Sequence, residues 1–139
     1  TVADCIPVYL ADVNGRGIAL LHAGWRGTAG GILERGLRVL CGSTGSHASS
    51  IAMHCGVGIC GQCYEVGHEV MDGCGLLPDG DGPWHVDIRS VLADQADQLG
   101  LREISTSGRC TRCQHDLFFS HRASGGTDGR QVAFLGMSG

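Results

Sequence analysis

The sequence contains no lysine: all ten of its basic residues are arginines. Schiff-base and lysine-ammonium chemistry are therefore excluded, and arginine is the only fixed cation that could bind an anionic ligand. The sequence also lacks an apolar stretch approaching the roughly 20 residues of a membrane-spanning helix, and it shows no signal peptide. A net charge of −4 and an isoelectric point near 5.9 argue against general binding to nucleic acids or membrane surfaces.

The bulk composition is that of a globular protein. Hydrophobic residues make up 42% and charged residues 17% of the 139 residues, which suits a chain with one apolar core. We therefore predict a single domain over residues 1–139. The chain is too long for its eight cysteines to be the staples of a disulfide-rich mini-protein. Mostly reduced thiols and a cytoplasmic location are the expectation.

A β-hairpin is predicted near the N-terminus, because Asn14-Gly15 lies between two apolar runs. A two-residue type I′ turn at these positions places Pro7 opposite His22. Cys5 and His22 are then diagonal neighbours on one face, roughly 7–8 Å apart at the backbone. A four-residue loop keeps the two side chains on that face, whereas a three-residue loop separates them.

The remaining hydrophobic periodicity predicts alternating helices and strands. One helix is expected to begin at the N-cap Thr28 and stop at Gly42, and another to begin at the N-cap Asp87 and stop at Gly100. Further predicted elements are a short helix over residues 64–71 and strands over residues 51–55, 101–105 and 132–135. This alternation, without a repeat or a linker, predicts an α/β fold in one compact layered domain of mixed strands and helices.

The thiol of Cys5 and the imidazole of His22 form the first candidate site. Thiolate and imidazole are ligands of zinc and of copper, and a cysteine beside a histidine can also act as a nucleophile with its base. Asp4 could orient His22, accept a proton, or simply cap a turn. The alternative is a buried cysteine and a core histidine without a catalytic role. A catalytic zinc site usually has three protein ligands, and no third ligand is obvious beside these two.

Arg26 is the candidate anion-binding residue, because it lies at the expected start of a helix. A guanidinium group beside free backbone N–H groups suits a phosphate or a carboxylate. A solvated surface arginine is the alternative. Arg122 and Arg130 are further candidates for the same role.

Two CxxC pairs, Cys60-Gly-Gln-Cys63 and Cys110-Thr-Arg-Cys113, form a second candidate metal site. Each pair could hold one edge of a tetrahedral zinc ion. Their separation along the chain is far longer than the usual spacing in a zinc ribbon, and the residues after the first pair suggest a helix. The sequence therefore favours Cys5 and His22 over the four cysteines as metal ligands.

Several motifs resemble one bacterial family. They are Thr1-Val-Ala-Asp-Cys5-Ile-Pro-Val8, His22-Ala-Gly-Trp-Arg-Gly27, Cys63-Tyr-Glu-Val-Gly67 and Phe118-Phe-Ser-His-Arg122 with Gly129-Arg130. The sequence is similar to the multicopper polyphenol oxidoreductase, or laccase-like, family. Members are also described as purine nucleoside phosphorylases and, in the best-known bacterial branch, as peptidoglycan-editing factors. The resemblance covers essentially the whole chain.

The resemblance implies a compact α/β fold with one zinc ion, and copper is the alternative metal. In the family the ligands are the cysteine of the Ala-Asp-Cys motif, the histidine of the His-Ala-Gly-Trp-Arg-Gly motif and an earlier histidine in a Gln-Val-His-Gly motif. Cys5 and His22 match the first two. The third motif is absent, so the chain is expected to be truncated at its N-terminus. Family members mostly have no CxxC at the position of Cys60.

The activity implied by the resemblance is phosphorolysis of adenosine, inosine and methylthioadenosine, together with deamination of adenosine. Arg26 would then hold phosphate, and either Asp4, beside Cys5 and His22, or the missing N-terminal segment would supply the general acid or base. The expected partners are thus a purine nucleoside and phosphate, with no nucleic acid and no membrane. Copper-dependent oxidation of phenols is an alternative hypothesis, although the seven histidines include no His-x-His pair. A peptidoglycan-editing or structural zinc-binding module is another.

Overall fold

A mixed four-stranded sheet lies at the centre of the fold. In the computed structural model, which describes residues 1–139, its strands are β1 (Ile6–Asp12), β2 (Ile18–Ala23), β3 (Ile51–Cys55) and β6 (Glu103–Thr106), in the order β2-β1-β3-β6. β1 pairs antiparallel with both β2 and β3, whereas β3 pairs parallel with β6. A separate two-stranded ladder joins β4 (Glu65–Val66) to β5 (Trp84–His85).

Five helices complete the fold. They are α1 (Trp25–Ala29), α2 (Ile32–Thr44), α3 (His68–Gly73), α4 (Ile88–Gln98) and α5 (His121–Ser124). α2 contacts β2, α4 contacts β3 and β6, and the two helices also contact each other. None of the five has both the length and the apolar character of a transmembrane segment.

The core lies between the sheet and its helices. Val8 and Leu10 of β1 are completely buried, and they pair with Cys55 and Met53 of β3, so these four side chains share one face of the sheet. Apolar residues of α2 and α4, among them Leu33, Leu37, Leu40, Val91 and Leu92, belong to the same buried cluster. Burial of each large side chain contributes about 1.5–3 kcal/mol, so this face holds the fold together.

The opposite face of the sheet carries fewer buried side chains. Tyr9 on this face pairs with His54 of β3 and with Leu20 of β2. His54 is exposed and Leu20 is 39% exposed. The helices therefore cover one face of the sheet and leave most of the other open.

The predicted α/β class and the predicted hairpin register are confirmed, but the predicted turn is wrong. Pro7 lies opposite His22, as expected. The connection is a four-residue loop, because the Asp12 N–H donates to the Gly17 carbonyl (2.9 Å), and only Gly15 of the Asn14-Gly15 pair has a positive φ. The Asp12 side chain accepts the Asn14 N–H (2.8 Å), which closes a local turn of a different type.

The first predicted helix begins earlier and is interrupted. Gly24 is the N-cap of α1, and Thr28 lies inside the helix with its hydroxyl donating to the Gly24 carbonyl (2.8 Å). Gly31 has φ +79°, a left-handed conformation that separates α1 from α2. α2 then continues past Gly42 and ends at Gly45, which is also left-handed.

Two other predictions are wrong. The predicted helix over residues 64–71 is replaced by β4 and α3, because the chain here pairs with β5. Residues 132–135 form no strand: the only bridge near them joins Val2 to Gln131, and Phe134 is 83% exposed. The strand at 51–55 and the Asp87 cap of α4 are confirmed, whereas the strand predicted at 101–105 begins later, at Glu103.

A buried carboxylate, that of Asp12, joins the hairpin turn to the loop after α2. It accepts hydrogen bonds from the Ser46 hydroxyl and the Asn14 N–H, and it forms an ion pair with Arg16 (3.0 Å). The Ser46 hydroxyl, helped by the Asn14 N–H, holds the pKa of Asp12 below its usual value of 3.8. The ionised form is therefore the one that stabilises the fold.

The variant Asp12→Asn should make stability less sensitive to acid. Because the pKa is lower in the folded state than in the unfolded state, the ionised carboxylate stabilises the folded protein above about pH 4, and this contribution is lost as the pH falls through the folded pKa. Urea denaturation over a pH series measures the effect. Asp94→Asn, at an exposed position of α4, is the control and should behave as the unchanged protein. Equal acid sensitivity of Asp12→Asn and the unchanged protein would contradict the assignment.

Candidate functional site

A cavity of about 160 Å³ lies at the end of the hairpin, where the chain enters β1 and leaves β2 for α1. Its lining consists of Asp4, Cys5, Ile6, Ala23, Gly24, Trp25, Arg26, Ile59, Tyr64 and Ile88. Most of these side chains are apolar, and a thiol, a carboxylate and a guanidinium group are the polar exceptions. Apolar walls with a few convergent polar groups are typical of small-molecule binding sites.

The Cys5 thiol lies half-buried in this cavity. Burial raises the pKa of the thiol, and the neighbouring Asp4 carboxylate raises it further. A Cβ atom at Gly24 would lie 3.0 Å from the Cys5 sulfur, so the glycine leaves room for this sulfur atom. The Arg130 guanidinium lowers the pKa by less than these two effects raise it, so Cys5 is mainly a neutral thiol at neutral pH.

His22 does not line the cavity. It is exposed on β2, opposite Pro7, one residue before the cavity residue Ala23. The structure thus brings Asp4, Cys5 and Arg26 to one cavity and leaves His22 beside it.

The Cys5 thiol and the His22 imidazole suit zinc or copper, but together they offer only two ligand atoms. Three or more potential metal-ligating side chains meet only in another part of the chain, at four cysteines. The donor types of Cys5 and His22 suit a metal ion, and their assignment as ligands of one ion stays a prediction.

Two aromatic rings of the cavity are each covered by an arginine. The Arg26 Cζ atom lies 4.5 Å from the centroid of the Trp25 ring, and the Arg122 Cζ atom lies 5.0 Å from that of Tyr64. Sequence reasoning singled out both arginines but missed Tyr64 and Ile59. Both of these come from a loop distant from the hairpin, and no local pattern indicates that it folds back onto Cys5.

The Asp4 carboxylate is occupied by hydrogen bonds from the C-terminal part of the chain. It accepts the hydroxyls of Thr111 (2.6 Å) and Ser120 (2.8 Å) and the backbone N–H of Arg122 (2.6 Å). The residue has φ +82°, a left-handed conformation that aspartate tolerates better than most residues. These contacts are those of a structural anchor, and a catalytic role of Asp4 stays a prediction.

Both CxxC pairs meet at one point. The sulfur atoms of Cys60, Cys63, Cys110 and Cys113 all lie within 4.8 Å of one another, and none is in a disulfide. This four-cysteine cluster could hold a metal ion. The long separation of the two pairs along the chain therefore does not keep them apart, because a parallel bridge between Gly58 and Cys110 brings the two loops together.

One thiol of the four-cysteine cluster is unusually acidic. Burial opposes ionisation of Cys110, but the backbone N–H groups of Cys113 and Cys60 outweigh it and lower the pKa to about 7. These N–H groups lie 3.4 Å and 3.3 Å from the Cys110 sulfur. The loops therefore favour a thiolate at this position.

Replacing Asp4 should destabilise the protein. Asp4→Ala leaves three donors without their acceptor, so the free energy of unfolding should fall by at least about 2 kcal/mol. Asp4→Asn keeps one acceptor oxygen and tolerates the positive φ, so its loss should be smaller. Urea denaturation of both variants measures the difference, and an Asp4→Ala variant as stable as the unchanged protein would refute the anchoring role.

Comparison with known proteins gives consistent matches over almost the whole chain. The model of the family described as multi-copper polyphenol oxidoreductase laccase matches residues 1–138. Purine nucleoside phosphorylase YlmD of Geobacillus stearothermophilus is 38% identical over 96% of this chain and 53% of its own length. Adenosine deaminase RL5, from an unknown prokaryotic organism, is 33% identical over 92% of this chain and 53% of its own length.

The fold is similar to that of solved relatives. The crystal structure of YlmD from Geobacillus stearothermophilus superposes with a TM-score of 0.84 at 34% identity, and the match covers 92% of this chain and 52% of that one. A Bacillus licheniformis protein, YfiH, gives a TM-score of 0.81 at 32% identity, covering 90% and 51%. The chain therefore spans about half the length of the relatives it matches.

Proposed function

The chain belongs to the family described as multi-copper polyphenol oxidoreductase laccase, and from this membership we propose that it is part of an enzyme that cleaves purine nucleosides with phosphate and deaminates adenosine. Relatives named purine nucleoside phosphorylase and adenosine deaminase support the two reactions. The structural observation that carries the proposal is the cavity in which a thiol, a guanidinium group and two aromatic rings converge.

The walls of the cavity suit a purine base. The Trp25 and Tyr64 rings offer flat apolar surfaces, and stacking on such rings holds a base without regard to its exact substituents. Ile59 and Ile88 add apolar contact. The substrates we infer are adenosine, inosine and methylthioadenosine, which share the purine ring.

Phosphorolysis also requires a cation beside the sugar, and Arg26 supplies it. In this reaction a phosphate oxygen forms a bond to the ribose C1′, the bond from C1′ to the purine nitrogen breaks, and the base leaves with the bonding electrons and takes up a proton. A guanidinium group can hold phosphate with two parallel hydrogen bonds. For Asp4, the hydrogen bonds it already accepts support a positioning role over proton transfer.

Zinc is the metal we propose at the edge of the cavity, with Cys5, which lines the cavity, and His22, which lies beside it, as two of its ligands. Zinc bound there would supply Lewis-acid chemistry. Thiolate and imidazole also suit copper, so phenol oxidation, after which the family is described, is the second candidate function. The cytoplasmic location that the sequence predicts stays a proposal.

Removing either ligand should abolish nucleoside turnover and the metal bound at the cavity, so the metal content should fall by one ion per chain. Cys5→Ala and His22→Ala are the variants, prepared in the complete protein as encoded. Elemental analysis and assays of adenosine phosphorolysis and deamination are the measurements. Cys41→Ala and His54→Ala remove the same groups away from the cavity and should change neither quantity. Full turnover in Cys5→Ala or His22→Ala would disprove the assignment of that residue, and copper in place of zinc would favour the second candidate function.

The variant Arg26→Ala should separate the two reactions. Only phosphorolysis binds an anion, and loss of one charge-assisted contact costs about 1.5–3 kcal/mol, or roughly ten- to a hundredfold in kcat/KM. Deamination should change far less. Arg38→Ala, at an exposed position of α2, is the matched control. Equal losses in both reactions would mean that Arg26 supports the fold rather than phosphate.

A further inference from the structure

The four-cysteine cluster has the dimensions of a site for a single metal ion. Zinc–sulfur bonds of about 2.3 Å in a tetrahedron place the sulfur atoms about 3.8 Å apart. The Cys113 sulfur lies 3.4 Å from that of Cys63 and 3.9 Å from that of Cys60, and no two of the four sulfur atoms are more than 4.8 Å apart. A multinuclear iron–sulfur cluster would hold the sulfur atoms farther apart, because they bind different iron atoms.

The backbone around the cluster stabilises a thiolate at one of its four positions, Cys110. The Thr111 N–H donates to the Gly58 carbonyl (3.0 Å) and joins the two loops directly. Within the loops, the N–H groups of Cys60 and Cys113 point to the Cys110 sulfur. Such N–H···S contacts stabilise negative charge on sulfur, as a bound metal requires.

The ion pair between Arg89 and the partly buried Asp87 contacts both loops of the cluster. Arg89, only 6% exposed, donates two hydrogen bonds to Asp87 (3.0 and 2.9 Å) and two more to the carbonyls of Ser107 and Arg109 (2.7 and 2.8 Å), which lead into the second CxxC pair. On the other side, Gly61 of the first pair packs against Asp87. Both loops are therefore held in place without the help of a metal ion.

From this geometry we propose that Cys60, Cys63, Cys110 and Cys113 bind one Zn²⁺ ion as a structural site. On binding, the thiols release their protons to solvent, four Zn–S bonds form, and no electron is transferred. All four positions around the ion are filled by protein, so it has no open position for a substrate. This zinc is separate from the one proposed at Cys5 and His22.

The zinc site would fix the shape of the cavity. Ile59 precedes Cys60 and Tyr64 follows Cys63, and both residues line the cavity. Thr111 follows Cys110 and donates to the Asp4 carboxylate. Each CxxC pair is thus joined, one residue away, to the cavity wall or to its anchor.

Zinc content in a Cys5→Ala background tests the proposal, because any zinc that remains cannot depend on Cys5. We expect one zinc ion per chain by elemental analysis. Adding Cys113→Ala, at an exposed position, should weaken zinc retention against a chelator by at least about 10–100-fold, the loss seen when only an outer partner is removed. Adding Cys113→His should retain zinc, since three cysteines and a histidine are a common zinc ligand set. Adding Cys74→Ala, outside the cluster, should leave zinc unchanged.

Cobalt substitution gives a second measurement, which reports the ligands around the ion rather than the zinc content. Co²⁺ added to metal-free Cys5→Ala protein should give the sulfur-to-cobalt charge-transfer band and visible bands of a tetrahedral four-thiolate site, and Cys113→His should weaken the former. Absence of zinc from the Cys5→Ala protein, iron in its place, a disulfide between Cys63 and Cys113, or full zinc retention by Cys113→Ala would each overturn the proposal. Nucleoside turnover does not enter the test, so the proposed function can fail while this site stands.

Discussion

The Asp4 carboxylate is the contact on which the site depends, because it joins the N-terminal hairpin to the C-terminal part of the chain. This carboxylate, one residue before Cys5, accepts three hydrogen bonds, from Thr111, Ser120 and Arg122. Its own carbonyl accepts the N–H of Ile59 (3.0 Å), so the loop of the first CxxC pair is attached at the same point. Three segments distant in sequence therefore converge within one residue of the cavity thiol, and the strained left-handed backbone there is held by all of them.

The start of α4 forms a wall shared by the cavity and the four-cysteine cluster. Ile88 lines the cavity, while Asp87 and Arg89 on either side of it hold the loops that carry the cysteines. Asp87 is also the N-cap of α4, since its side chain accepts the Arg89 N–H. A shift of this helix end would thus change both sites together. The packing of α4 against the sheet resists such a shift, because it buries apolar side chains.

The hairpin register and the helix cap could be predicted because they depend on residues close together in sequence. The meeting of the two CxxC pairs could not, because it depends on pairing between distant segments. The pairing of Pro7 with His22 was predicted correctly although the predicted turn type was wrong. Loops of two and of four residues leave each side chain on the same face of the hairpin. The N-cap of α4 at Asp87 could likewise be predicted from the neighbouring residues. The meeting of the two CxxC pairs cannot be predicted from either segment alone, because it depends on the bridge between Gly58 and Cys110, and no periodicity in either segment encodes that bridge.

The absence of lysine can be related to the contacts that three arginines make around these sites. Arg26 and Arg122 lie over aromatic rings, a contact that the flat guanidinium makes by stacking. Arg89 uses a different property, its fork of fixed donors, which reaches a carboxylate and two carbonyls at once. An ammonium group is a compact point charge, so it can neither stack flat on a ring nor reach a carboxylate and two carbonyls at once. At each of these three positions the geometry of the cation matters as much as its charge. Arg26 and Arg122 cover the cavity rings and Arg89 bridges the cysteine loops, while a guanidinium group such as that of Arg26 remains suited to a phosphate.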